Sequence, residues 1–303
     1  MPTVIENASW AVIWDADAGR HVYRGDVDVA FDGEAITVVG DARSLHDARR
    51  VSGRGRLVLP GFVNIHTHPT SEPLRRGMTD EILSPGFHHS SLYEYLPVFA
   101  STRESAEASM RVALAELLKS GVTTVADLSV PFEGWLDVLG ESGLRAVAAP
   151  MFRDARWYTT NGHRLDYDWD PAAGRRAMDE AARLLDRARQ HPSGRLSGMV
   201  VPAQIDTCTP ELLQESHRLA VERDLPFQIH VSQSVTEFHE MYRRHGRTPV
   251  QWMDDLGILD DRAILGHATF LDHHPWLHWT SRDAVARLRD RGASAPPPPA
   301  VFV

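Results

Sequence analysis

The spacing of apolar residues changes character near residue 57. Before that point the apolar segments are short and β-branched. They cover residues 4–14, 26–31 and 35–39, separated by Asp-Ala-Gly, Asp-Gly and Gly-Asp turns. Short alternating runs between such turns predict strands and hairpins. Residues 1–58 are therefore expected to form a small β module, with little helix and no chemistry of its own.

After residue 57, apolar strand-like runs alternate with amphipathic helices. Residues 56–65 lead. A helix follows, with a capping box expected from Ser101 and Glu104. Its apolar stripe is Ala106, Met110, Ala113, Leu114, Leu117 and Leu118, with Gly121 as its stop. Further strands are predicted at 122–128, 145–151, 198–203, 226–230 and 263–266. Helices are predicted at 132–139, 170–189, 209–222, 235–244 and 249–256, and the last is expected to be capped by Ser281 and to end near Arg291. Six β-α units in a row predict a parallel sheet or a (β/α) barrel. Residues 295–303 contain four consecutive prolines. They predict an irregular, extended polyproline tail.

Composition narrows the function classes. With 303 residues and 43% hydrophobic content, the chain can bury a sizeable core. The net charge of -9 argues against a nucleic-acid partner. The N-terminus lacks a basic start followed by an apolar core, so no signal peptide is expected. No uninterrupted apolar run reaches the roughly 18 residues a membrane span needs. The one cysteine, Cys208, allows no intrachain disulfide. A cytoplasmic protein without membrane contact is the default expectation.

The candidate chemistry lies at strand ends. In LVLPGFVNIHTHP, His66 and His68 are one residue apart at the end of an apolar strand. The two-residue side-chain period puts both imidazoles on one face. At the C-terminal end of a barrel strand, that face opens on the active-site mouth. His230, in PFQIHVSQSVTEF, ends the fifth barrel strand, and His267, in AILGHATFLD, closes the sixth. A lone HxH is a weak signal, but four histidines placed at strand ends, out of 16 in the chain, suit a divalent transition metal.

With SGVTTVADLS, these motifs resemble the amidohydrolase superfamily, with the stronger likeness to its amino-heterocycle deaminases and s-triazine chlorohydrolases. The likeness covers nearly the whole chain, including GDVDVAFDGEAITVVG in the β head. It implies an α/β fold: an incomplete (β/α)8 TIM-like barrel of about six β-α units over residues 59–294, with an N-terminal β-sandwich module over 1–58. It implies that His66, His68 and His230 bind one divalent metal ion, zinc or iron. His267 would contact the reactive water or the substrate. In the superfamily the metal acidifies a water, which attacks an electron-poor ring or amide carbon. Ammonia, an amine or chloride then leaves. The implied partner is a small nitrogen heterocycle, and relatives are often homodimers.

Binuclear members bridge two metals with a carboxylated lysine on strand four. Here Lys119 is the only lysine, and it precedes strand two. One metal is therefore expected. Two departures bear on activity. Relatives commonly carry a proton-shuttling glutamate three residues after the strand-five histidine; this chain has Gln233. An amide is no acid or base at ordinary pH, but it can hydrogen-bond substrate. Chloride demands less proton handling than an amine, so Gln233 favours the chlorohydrolase reading. The strand-eight aspartate of the superfamily is also missing. That leads to the expectation of a truncated or frameshifted chain with weak metal affinity and little or no activity. Amide or cyclic-imide hydrolysis, and a non-catalytic remnant, stay open as alternatives.

The loop after strand three carries Arg153 and Trp157, which could hold a ring by charge or stacking. Cys208 is expected to be a buried small residue. His88, His89, His273 and His274 are expected in solvated loops, and Trp276, His278 and Trp279 in packing.

Overall fold

The computed structural model describes residues 1–78, 91–160 and 164–295. His88, His89 and the polyproline residues from Pro296 onward lie outside the described residues. The chain divides into two compact units, Met1–Phe62 and Val63–Val303.

The first unit is one five-stranded mixed sheet. Strands β1 (Thr3–Asp15), β2 (Arg20–Asp32) and β3 (Ala35–Gly40) form an antiparallel meander. Strands β4 (Arg49–Ser52) and β5 (Leu57–Val58) both pair with β1 in parallel. The β1–β2 register shifts between Ile5 and Ala8, where Asn7 takes a positive φ of 54°. The small Ala8 and Ala11 pack with Val27 and Val29 in the core of this unit.

The second unit runs through β6 (Phe62–Thr67), α1 (Ser91–Val98), α2 (Arg103–Lys119), β7 (Val122–Asp127), α3 (Trp135–Glu141), β8 (Arg145–Ala148) and β9 (Met151–Phe152). A hairpin follows, β10 (Ala155–Thr159) and β11 (Leu165–Trp169). Then come α4 (Pro171–Arg189), β12 (Leu196–Gly198), β13 (Val201–Pro202), α5 (Pro210–Glu222), β14 (Phe227–Val231), α6 (Val235–His245), α7 (Pro249–Asp255), β15 (Ala263–His267) and α8 (Ala284–Arg291).

Strands β6, β7, β8 and β12 are consecutive neighbours in one sheet. Strand β9 pairs with β13, and β14 pairs with β15, both in parallel. Parallel bridges Val200–Phe227 and Gln204–His230 join the β12–β13 segment to β14, and Ile264–Ser294 extends the ladder past β15. The third and fourth predicted strands are thus each broken in two. Pro150 lies in the first break; it has no N–H to give a ladder.

Three details differ from the sequence reading. The capping box of α2 is built by Thr102 and Ser105, not by Ser101 and Glu104. Helix α8 begins at Ala284, because the Ser281 hydroxyl is turned away to donate to Asp272 Oδ2 at 3.1 Å. The antiparallel hairpin β10–β11 was not expected at all.

The register of β14 sets the site. Phe227, Ile229 and Val231 pack outward against the helices, in one cluster with Leu213, Met241 and Met253. The alternation turns Gln228 and His230 the other way, and Gln228 Nε2 reaches the Ile65 carbonyl at 3.4 Å. Among the described residues, no helix is long and apolar enough to cross a membrane. Phe227 is fully buried, so Phe227→Ala should cost about 3–5 kcal/mol, read as a lower midpoint in urea denaturation.

Candidate metal centre

Strand β6 delivers His66, and the residue after it places His68; their ring centroids are 5.0 Å apart and perpendicular. His230 on β14 lies 4.7 Å from the His66 ring and 5.1 Å from the His68 ring. Ligand nitrogens of His66, His68 and His230 all fall within 4.8 Å of one another.

Two backbone carbonyls fix the tautomers. His68 Nδ1 lies 2.6 Å from the Leu128 oxygen, and His230 Nδ1 lies 2.6 Å from the Ala203 oxygen. A carbonyl only accepts, so each Nδ1 carries the proton and each Nε2 presents a lone pair. Those two Nε2 atoms face each other at 3.1 Å. Two lone pairs at that distance repel unless a cation lies between them. Both ring nitrogens of His66 are buried with no hydrogen-bond partner, a cost of about 1–3 kcal/mol for each unsatisfied group. Zinc with Zn–N bonds of about 2.0–2.1 Å holds tetrahedral nitrogen pairs roughly 3.4 Å apart. The donor set therefore fits a tetrahedral divalent metal.

Electrostatics agree. Burial depresses the pKa of all three imidazoles, to about 3 for His66 and about 4 for His230 and well below the ordinary value for His68, with neighbouring imidazoles adding to the effect at His66 and His68. The rings are neutral, which is the ligating form.

His267 joins by a strained route. Ala263 and Leu265 face the helices with the outer core, while Ile264 faces the other way. Continued alternation would send His267 outward. Its φ of 115°, followed by 50° at Ala268, breaks that alternation. The ring instead sits 5.0 Å from His66 and 5.3 Å from His230. Left-handed conformations of this kind cost about 1–3 kcal/mol each and persist only when surroundings impose them. Here the Ala268 N–H donates to the Val231 carbonyl at 3.1 Å, and the Thr269 and Phe270 N–H groups donate to the Ser232 carbonyl at 3.0 and 2.9 Å.

Three carboxylates, those of Asp127 and Glu237 fully buried and that of Glu72 half-buried, brace the loops around the imidazoles. Glu72 accepts from the Thr67 hydroxyl and, at 2.6 Å, from the His68 N–H. Asp127 accepts from the Ser129 hydroxyl and, at 2.8 Å, from Trp135 Nε1; burial pushes its pKa up to about 7. Glu237 accepts from the N–H groups of Ser232 and Gln233 at 2.6 and 3.0 Å. It therefore clamps the loop after β14.

A cavity of about 790 Å³ opens beside the imidazoles. His68, His230, Gln233, Arg153 and Trp157 all line it. The Arg153 guanidinium lies 5.7 Å from the Trp157 ring centroid. Burial, then the charge of Arg156, lowers the Arg153 pKa. Sequence reasoning missed Arg75, which lines the same cavity with its Nε buried and unpartnered. Nothing in LRRGM distinguishes it from its neighbour Arg76. Cys208 lies buried, and burial raises its thiol pKa to about 12. Trp279 packs against Phe238 and Tyr242.

Comparisons with known proteins bear on this geometry. The amidohydrolase family profile matches residues 57–295, and the chain belongs to that family. It is 27% identical over 262 residues to the 5'-deoxyadenosine deaminase of Methanosphaera stadtmanae, covering 86% of this chain and 55% of the relative. It is 30% identical over 223 residues to a 5-methylthioadenosine/S-adenosylhomocysteine deaminase of Bacillus cereus, covering 72% of this chain and 47% of the relative. The chain thus spans about half the length of these curated relatives. The structure superposes on atrazine chlorohydrolase from Arthrobacter aurescens TC1, solved with zinc, at a TM-score of 0.70 and 21% identity, covering 97% of this chain and 64% of that one. Guanine deaminase from C. acetobutylicum gives 0.72 at 14% identity, covering 97% and 67%. The fold is accordingly of the TIM-barrel-like α/β kind.

Gly266 is the residue that lets His66 into the cluster. A Cβ at that position would stand 2.8 Å from His66 Cε1. Gly266→Ala should weaken zinc affinity by about 10- to 100-fold, the usual effect of disturbing a ligand's support, with the far-UV circular dichroism retained. Competition with a chromogenic chelator measures it.

Proposed function

We propose that this chain is a metal-dependent hydrolase that removes an amino or chloro substituent from a small nitrogen heterocycle. The single observation that carries the reading is the neutral imidazole trio, in which His68 and His230, their tautomers set by Leu128 and Ala203, line a cavity large enough for such a ring. The names of the curated relatives and of the structural neighbours point to the same substrate class. The parallel run from β6 to Ser294 is read as six staves, and the start of a seventh, of a (β/α) barrel.

His66, His68 and His230 would hold the ion, zinc or iron. When bound, it supplies the Lewis acidity that makes water nucleophilic near neutral pH. The rest falls to the chain's own side chains. His267, held against His66 and His230 by its strained backbone, is placed to hydrogen-bond the water or the substrate. Arg153 and Trp157 would grip the ring by charge and stacking. Gln233 lines the cavity and can donate or accept a hydrogen bond, but it cannot carry a proton from water to an amine. That favours a leaving group that departs without a proton, such as chloride.

The test pairs metal analysis with a turnover panel on the purified full chain. Zinc or iron at no more than one equivalent, weakly held and lost in His230→Ala, is expected. Chloride release from a chloro-s-triazine should exceed ammonia release from 5'-deoxyadenosine. Metal binding without release from either compound, or from a cyclic imide, would favour a non-catalytic remnant. A second prediction isolates the proton step. Gln233→Glu should raise ammonia release by about 10²- to 10⁴-fold, the usual worth of a placed general acid–base, and leave chloride release within a few-fold. Parallel ammonia and chloride assays read the ratio.

A further inference from the structure

The hairpin β10–β11 forms one wall of the cavity, and a latch outside the cavity holds it. In its register, Trp157 stands directly opposite Tyr167, and Ala155 stands opposite Trp169. Directly paired residues of an antiparallel ladder project from the same face. Trp157, Tyr167 and Trp169 therefore share a face, and whatever fixes Tyr167 fixes Trp157. Trp157 lines the cavity; Tyr167 and Trp169 do not.

The fixing groups come from two other elements. The Tyr167 hydroxyl donates to Asp206 Oδ2 at 2.7 Å, and Asp206 is buried in the segment after β13. Arg244, near the end of α6, lays its guanidinium 3.8 Å from the Tyr167 ring centroid and 5.2 Å from that of Trp169. The same guanidinium donates to the Asp206 carbonyl at 2.7 Å and to Glu240 Oε1 at 2.5 Å. Only a planar fork can stack on two rings and bond edge-on to two oxygens at once. Arg244 is largely buried, with 15% of its side chain exposed, so these contacts are little screened by solvent. The Trp157 ring also meets Tyr93 edge-on at 5.2 Å.

We infer that Arg244 and Tyr167 are positioning residues that set the Trp157 wall of the cavity through the hairpin, without touching what the cavity holds. The inference rests on reading that cavity as the substrate site. Its test needs no substrate, so the two can fail separately.

The measurement is fluorine NMR of the full chain carrying 5-fluorotryptophan, with resonances assigned by Trp157→Phe and Trp135→Phe. Trp135 is fully buried beside β7 and reports on the packing of the barrel. In Arg244→Lys, which keeps the charge and loses the planar fork, the Trp157 resonance should shift and broaden while that of Trp135 stays fixed. Amides of Ala155–Thr159 should exchange with solvent about tenfold faster, as expected when a desolvated cation–π contact is lost. Tyr167→Phe keeps the ring under Arg244 and removes only the bond to Asp206. It should move the Trp157 resonance in the same direction, and it decides the matter if Arg244→Lys does not fold. An unmoved Trp157 resonance overturns the inference. So does a Trp135 resonance that moves with it, because that marks general loosening.

Discussion

The repulsion between two imidazole lone pairs is the constraint on which the rest of the site depends. The carbonyls of Leu128 and Ala203 each claim an Nδ1 proton, and so force the Nε2 atoms of His68 and His230 to face each other bare. Protonation would relieve the clash in water, but burial opposes a charge there. A divalent cation is the remaining remedy. The Leu128 carbonyl lies just past the end of β7, and the Ala203 carbonyl, just past β13, accepts both from the His230 N–H at 3.2 Å and from the His230 ring. The position of the site at one end of the parallel sheet thus follows from backbone bonding as much as from the histidines themselves.

Three of the four imidazoles need no special backbone. They follow from strand alternation, and for that reason they could be read in the sequence. LVLPGFVNIHTHP and PFQIHV announce inward-facing histidines because a period of two is a local property. His267 could be named from its strand-end position, but the alternation of β15 points it the wrong way. Only the positive φ corrects that, and it is imposed by bonds to Val231 and Ser232 on the neighbouring strand. Such bonds leave no local signature.

The misread features share that origin. Ser101 and Glu104 satisfy a capping-box pattern, yet Thr102 and Ser105 satisfy the geometry. Ser281 looks like a cap until Asp272, nine residues earlier, claims its hydroxyl. The hairpin β10–β11 has enough alternation to be a strand pair, but its flanking turn residues read as one long loop. Arg75 was invisible because a guanidinium turned into a cavity and one turned to solvent have the same letter. Glu237, one helical turn beyond Gln233, is a brace, held by its two backbone hydrogen bonds to the loop after β14. Propensity and period are carried by neighbours in sequence, whereas these outcomes depend on partners elsewhere in the chain.

The strained corner at His267 and Ala268 also bears on how such a chain tolerates stabilising substitutions. A glycine at 268 would accept φ 50° without penalty and so would be an attractive substitution in any search for thermal robustness. It would also free the peptide that aims the His267 ring. Rigidity of the imidazole and comfort of the backbone are opposed at this one bend, so robustness gained there would be drawn from the precision of the site.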